Sequence, residues 1–244
     1  MPHPLSLLKL TVIILCSLSI ESVQAQVFNS STSAATGLTG RAAVEPGDAV
    51  YLNPSALAHL RGRQFYAAYS EEELAFTLSD NSPDAMIPAA LGYFQRDFSG
   101  REDSFSALSL ALAEFAGKKF AMGLTGHYFS AKTPQETYRQ INADLGLMFT
   151  PTANMGLGLV AYNLLGEADD MPGFLRPRRS VGVGFNYVYK NISRFRVDVS
   201  TLDQIGLGLE TYINSFLITR LGYFNDWDIK RELLSLGLGF KGPR

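Results

Sequence analysis

"SVGVGFNYVY", residues 180–189, is the stretch whose reading decides the fold. Read in twos, Val181, Val183, Phe185, Tyr187 and Tyr189 fall on one side, and Ser180, Gly182, Gly184, Asn186 and Val188 on the other. A period of two belongs to a strand with two different faces. In a water-soluble sandwich the face turned from the core usually carries Lys, Glu and Thr, and glycine is a poor occupant. In an outer-membrane barrel, branched and aromatic residues meet lipid while small or polar ones meet the lumen. The stretch fits the second arrangement.

The pattern recurs along the chain. Leu145, Leu147 and Phe149 oppose Asp144, Gly146 and Met148; Leu157 and Leu159 oppose Gly156 and Gly158; Leu234, Leu236, Leu238 and Phe240 oppose Ser235, Gly237 and Gly239. From residue 63 onward the alternation predicts about twelve strands. They begin near Gln64, Leu74, Ile87, Ser104, Lys119, Tyr138, Asn154, Ser180, Ser193, Ile205, Phe216 and Leu233. "GK" at 117–118, "PTAN" at 151–154, "KNIS" at 190–193 and "INS" at 213–215 read as tight turns. The connections from Ser130, Leu164 and Asn225 read as longer loops, an alternation expected of short periplasmic turns and long external loops. Only the connection after Asp80 departs from it. Aromatics near strand ends (Tyr128 and Phe129, Tyr187 and Tyr189, Tyr223 and Phe224) suit interfacial girdles.

The N-terminus reads as an export signal. "MPHPLSLLKLTVIILCSLSIESVQA", residues 1–25, has a single Lys9, an apolar run from Leu10 to Ile20 and Val23-Gln24-Ala25 at a cleavage site, with Gln26 as the mature start. The apolar run is too short to span a bilayer, and no later run holds the ~20 apolar residues of a membrane helix. A mature chain that enters a membrane must therefore do so as a barrel. Cys16, the only cysteine, lies in the signal and follows Leu15 rather than the small residue of a lipid-attachment site. Disulfides, thiolate metal sites and thiol nucleophiles are thus excluded from the mature chain. A net charge of −2 with 18% charged residues gives nucleic-acid binding no electrostatic support.

Between the signal and residue 63 lies a small-residue, turn-rich stretch, 26–62. Within it, "TGLTGRAAVEPGDAVYLNPSALAHL" resembles the N-terminal signature of the FadL-like outer-membrane proteins, which include hydrophobic-compound transporters and the PorV-like proteins of type IX secretion. The matching residues are Gly40-Arg41-Ala42, Asp48-Ala49 and Asn53-Pro54-Ser55-Ala56-Leu57. "DLGLMFTPTANMGLGLVAYNLLG" and "MPGFLRPRRSVGVGFNY" are similar to further stretches of that group. The resemblance implies a 14-stranded barrel with residues 26–62 folded inward as a plug or hatch, and 63–244 as the barrel. The count of about twelve lacks the last hairpin of that pattern, so the chain reads as a truncated or divergent member. In the transporter branch, a kink in the third strand opens the wall to lipid; the resemblance implies that role for Pro88, which opens "IPAALGYF", with Gly92.

No catalytic set, metal site or cofactor motif emerges. His59 and His127 lack ligand spacing to a second His or Cys. The Gly-x-Gly pairs lack both a third glycine and the Lys-Ser/Thr of a phosphate loop, and they lie inside strands. The polar residues expected to face the lumen are His127, Asn142, Asp144, Asn186, Glu210 and Arg220, as a lining or as ligand contacts. Arg176, Arg178 and Arg179 form a basic cluster beside Asp169 and Asp170 in the longest external loop. The expectation is an exported outer-membrane β-barrel, in contact with outer-membrane lipid, that binds or passes small hydrophobic compounds. Two alternatives stand beside it: a PorV-like non-transporting barrel partnering secretion-system components, and a soluble secreted β-sandwich.

Overall fold

The computed structural model describes residues 28–241. The reading of residues 1–25 as an export signal, and Cys16 with it, lies outside the described residues. Twelve strands form one sheet: β1 (Gly62–Tyr69), β2 (Glu73–Asn81), β3 (Ala89–Asp97), β4 (Ser104–Phe115), β5 (Phe120–Lys132), β6 (Thr137–Thr152), β7 (Met155–Tyr162), β8 (Ser180–Tyr189), β9 (Ser193–Ser200), β10 (Gln204–Tyr212), β11 (Leu217–Asp226) and β12 (Arg231–Phe240). Each strand begins within two residues of its expected start and pairs antiparallel with its neighbours in chain order. The fold is all-β, as the period-two reading requires.

The faces also divide as the sequence predicts. In β8, Val181, Val183, Tyr187 and Tyr189 are exposed, while Ser180, Gly182 and Gly184 are buried. The outward face of the sheet carries Leu108, Leu110 and Leu112 on β4, Leu157 and Leu159 on β7, and Leu207 on β10, all exposed. At the end of the sheet where β1 starts and β12 stops, here the proximal end, exposed Phe115, Phe120, Phe149, Tyr187, Tyr189, Phe216 and Phe240 gather. Two expectations need correction. Phe129 and Phe224 are buried, not part of a girdle. Connection length does not alternate cleanly, because β5, β6, β11 and β12 run on into stretches that read as loop; at the distal end only 98–103 and 163–179 are long.

Residues 28–60 explain the shape of the sheet. They hold one short helix, α1 (Ser31–Ala35), capped by the Ser30 side chain, and a 3-10 turn (Pro54–His59) capped by Asn53 with Pro54 at its first position. This short segment meets the sheet from edge to edge. Ser31 N donates to Tyr66 Oη on β1 (2.9 Å), Asn81 of β2 donates to the carbonyls of Leu57, Ala58 and Leu60, and Tyr51 packs on Gly92 of β3. The 3-10 turn lies on β4, β5 and β6, and α1 lies against β11 and β12. Twelve strands laid flat would be about 55 Å wide, so the sheet must be rolled around the segment. Its two edges, β1 and β12, do not pair.

The glycines of the small face now have a cause. A Cβ at Gly158 would run into the Arg41 carbonyl, one at Gly123 into Pro54, and one at Gly222 into the Gly37 nitrogen. The inward face is small because a backbone lies on it. Replacing Gly158 by valine is expected to cost about 1–3 kcal/mol through overpacking. Gly126 faces outward with nothing within 4 Å, and Gly126→Ala is expected to be tolerated. Denaturant unfolding of the two variants in detergent checks the difference.

Candidate functional site: the occupied interior

Arg41 is the point at which the segment is fastened. Its backbone nitrogen and that of Gly40 both donate to Asp198 Oδ2 of β9 (2.9 Å each), and its Nη1 stands 3.3 Å from the same oxygen. Arg41 Nε donates to Tyr162 Oη of β7 (3.0 Å), which in turn donates to the Leu52 carbonyl (2.6 Å). Asn53 Nδ2 donates to the carbonyls of Arg41 (2.6 Å) and Leu147 of β6 (3.2 Å), while its Oδ1 accepts from Ser55 N and Oγ. Pro54 fits against Gly123 and Gly146. The signature residues Gly40, Arg41, Asn53 and Pro54 are thus parts of one connection between segment and wall. Buried polar groups tolerate burial only when satisfied in this way.

Toward the proximal end runs a second set of charges. Glu45 Oε1 pairs with Arg194 and with Arg196 Nη2 (2.8 Å), both on β9. Glu210 of β10 accepts from Arg220 Nε (2.7 Å) and from Tyr212 Oη (3.0 Å), with Arg194 and Arg196 at 3.7 and 3.8 Å. Asn186 stands opposite Arg196 in register. Glu210 and Arg220, read from the sequence as lining, belong to this ion ladder. Its other members are absent from that reading, although "SRFRVDVS" carries Arg194, Arg196 and Asp198 at every second position between apolar residues, the signal of a charged inward face. Asp48, fully buried, accepts from Ser30 N (2.9 Å) and Ser30 Oγ (2.7 Å). Burial pushes its carboxyl up to about 7, against the lowering effect of the Ser30 bonds.

His127, Asn142 and Asp144 form a third group. His127 Nδ1 is 2.8 Å from Ser109 Oγ of β4, and its Nε2 is 2.9 Å from Asp144 Oδ2 of β6. The ring stacks on Phe129. Asp144 Oδ1 accepts from Asn163 N (2.7 Å), and Asn142 ties the 163–179 loop through Gly166 O (2.8 Å) and Leu165 N (3.0 Å). Serine, histidine and aspartate here have the order of a nucleophile relay. Ser109, however, is wholly buried, and it lines neither the small cavity beside Arg41 nor the one beside His127. The group works as a cross-strand staple joining β4, β5, β6 and the loop.

The loop itself turns inward. Met171 and Leu175 are buried in one cluster with Phe28, Tyr51, Phe94, Phe105 and Phe129. Its basic residues are engaged locally: Arg176 with the Asp169 and Met171 carbonyls, Arg178 with Asp228, Arg179 with the Leu164 carbonyl. At Pro88 the wall is intact. β3 starts one residue later and pairs in continuous register with β2 and β4, the Pro88 carbonyl accepts from Ala113 N (2.9 Å), and Gly92 is covered by Tyr51. Two small cavities lie in the interior: one of about 80 Å³ touching Arg41, Tyr162, Asp198, Asp226 and Arg231, and one of about 10 Å³ beside His127.

Two outcomes follow. Arg41→Ala leaves Asp198 buried without its cation and is expected to destabilise the fold by about 3–5 kcal/mol, with Arg41→Lys less harmful; unfolding in denaturant measures both. The raised Asp48 carboxyl makes the segment pH-sensitive. A folded-state value above the unfolded one stabilises at low pH, and that stability is lost as pH rises through about 7. Hydrogen exchange of residues 28–52 should accelerate from pH 5 to pH 8 beyond the intrinsic rate, and Asp48→Asn should remove the excess.

No protein-family model and no curated protein matches this chain. Among solved structures it is similar to a mutant form of Rh. blastica porin, with 14% sequence identity and a TM-score of 0.44. The match covers 70% of this chain and 55% of that one, so the chain spans about half the length of the porin.

Proposed function

We propose that the chain is an outer-membrane β-barrel protein whose interior is permanently occupied by its own N-terminal segment. On this reading it serves as a partner in a secretion or surface-attachment system. The apolar outward belt and the proximal aromatic cluster support insertion into lipid. The single observation that carries the partner role is the filling of the interior. Pockets that bury small hydrophobic molecules measure about 300–1,000 Å³, whereas the cavity beside Arg41 holds about 80 Å³. Passage of a hydrophobic compound would require residues 28–60 to leave, breaking the Asp198, Glu45 and Leu147 attachments together. A charge-fastened filling suits a rigid platform better than a hatch.

The experiment is twofold. The protein should partition to the outer-membrane fraction and migrate faster on gels unboiled than boiled, and planar bilayers containing it should show no channel steps. Deleting residues 28–60 should either open steps or abolish folding. Channel steps or uptake of hydrophobic probes by the intact protein would overturn the platform reading in favour of transport; recovery in the soluble fraction would overturn the barrel reading altogether.

A further inference from the structure

One stretch of the proximal rim runs against the charge of the chain, whose net value is −2. Residues 116–123, 147–158 and 184–195 make up the proximal ends of β5–β9 and the turns between them, and they contain Lys118, Lys119, Lys190 and Arg194 but no Asp or Glu. Arg194 is engaged with Glu45 of the enclosed segment. The three lysines are exposed, and among the described residues none has a carboxylate partner. Lys119 Nζ donates to the Pro151 carbonyl (2.8 Å), and Lys190 Nζ lies 5.2 Å from the centre of the Tyr189 ring. Elsewhere on the rim acids accompany the bases: Arg63 pairs with Asp80 (2.9 Å), and the β2–β3 connection carries Asp84. Glu114 of β4, opposite Met122 in register, marks the border of the acid-free stretch.

A row of outward aromatic rings lies beside these basic turns. Phe120 of β5 stands opposite Phe149 of β6, and Tyr187 of β8 stands opposite Phe195 of β9, with Leu157 and Met155 of β7 between the two pairs. All four rings are exposed. Rings on the outer face of a barrel mark the level of the lipid headgroups. Lys118 and Lys119 directly precede Phe120, and Lys190 directly follows Tyr189. A lysine so placed lays its stem along apolar surface and holds its ammonium at the depth of the lipid phosphates. Its compact charge on a flexible stem suits a mobile headgroup better than a fixed, bidentate partner.

We infer that the proximal rim from the β4–β5 turn to the β8–β9 turn is a binding surface for anionic phospholipid, with Lys118, Lys119 and Lys190 meeting the headgroups and the aromatic row lying just within the lipid. The inference rests on the membrane-barrel reading above. A zwitterionic lipid offers the same phosphate with a cation beside it, so a surface of unpaired lysines selects by net headgroup charge. Each lysine close to an anionic membrane surface contributes roughly fivefold in affinity.

The test gives the purified chain, in non-ionic detergent at low salt, equal amounts of dioleoylphosphatidylglycerol and dioleoylphosphatidylcholine, and counts the retained lipids by native mass spectrometry. Phosphatidylglycerol should be retained over phosphatidylcholine by about tenfold or more. Lys119→Gln with Lys190→Gln should lower that ratio by about fivefold or more. Arg61→Gln with Lys241→Gln removes the same charge elsewhere on the rim and should leave the ratio unchanged. A ratio near one for the unaltered chain overturns the inference, and so does an equal fall in both paired variants, which would assign the preference to net charge rather than to this stretch. Each variant is checked for the faster gel migration of the unboiled, folded protein. Failure of the lipid preference in a protein that shows that shift leaves the barrel reading standing; absence of the shift, with recovery in the soluble fraction, removes the barrel reading itself.

Discussion

The structure depends on one constraint: the inner face of the rolled sheet and the backbone of residues 28–60 must satisfy each other. A largely irregular segment with only two short helical turns carries many peptide groups that need partners. Some are paired within the segment's own backbone turns, and others are met by side chains of the wall. Asp198 takes two backbone N–H groups at Gly40 and Arg41, Tyr162 takes the Leu52 carbonyl, Thr125 donates to the Val50 carbonyl, and Asn81 gathers three carbonyls after the 3-10 turn. The wall in turn gives up side-chain volume wherever that backbone passes. Segment and sheet are two halves of one packing solution.

Electrostatics makes this solution specific. Arg41 meets Asp198, while Glu45 meets Arg194 and Arg196, so the segment brings one cation and one anion to opposite-charged groups on the same strand. Reversing the segment or sliding it along β9 would set like charges together. Buried pairs of this kind add little net stability but penalise wrong arrangements severely. The long 163–179 loop completes the enclosure at the distal end by placing Met171 and Leu175 in the aromatic cluster around Phe28.

Much of this is legible in the sequence. Period-two alternation locates the start of every strand to within two residues, because outward-facing and segment-facing sides differ so sharply in size. The glycine pattern marks the inward face but suggests an open lumen, since a sequence shows that a face is small without showing what presses on it. Gly40, Arg41, Asn53 and Pro54 stand out through a resemblance, and their shared contacts with β6, β7 and β9 give that grouping a physical content. The Ser109, His127 and Asp144 staple is not legible, because three residues on three strands meet only through register. Loop lengths mislead because strands here extend beyond their apolar cores, and the extended ends carry polar residues that read as turn.

The central claim is that residues 28–60 lie inside a lipid-facing wall, and cysteine accessibility in outer-membrane vesicles tests it most directly. The chain's only cysteine is Cys16, so single cysteines placed at Ala43, Leu159 and Glu71 report separately on the segment, the outward belt and a distal turn. The account predicts that a water-soluble maleimide modifies Glu71→Cys quickly and leaves Ala43→Cys and Leu159→Cys untouched, while a lipid-soluble maleimide reaches Leu159→Cys alone of those two. Rapid aqueous labelling of Ala43→Cys would place the segment outside the wall, and rapid aqueous labelling of Leu159→Cys would take the wall out of the membrane.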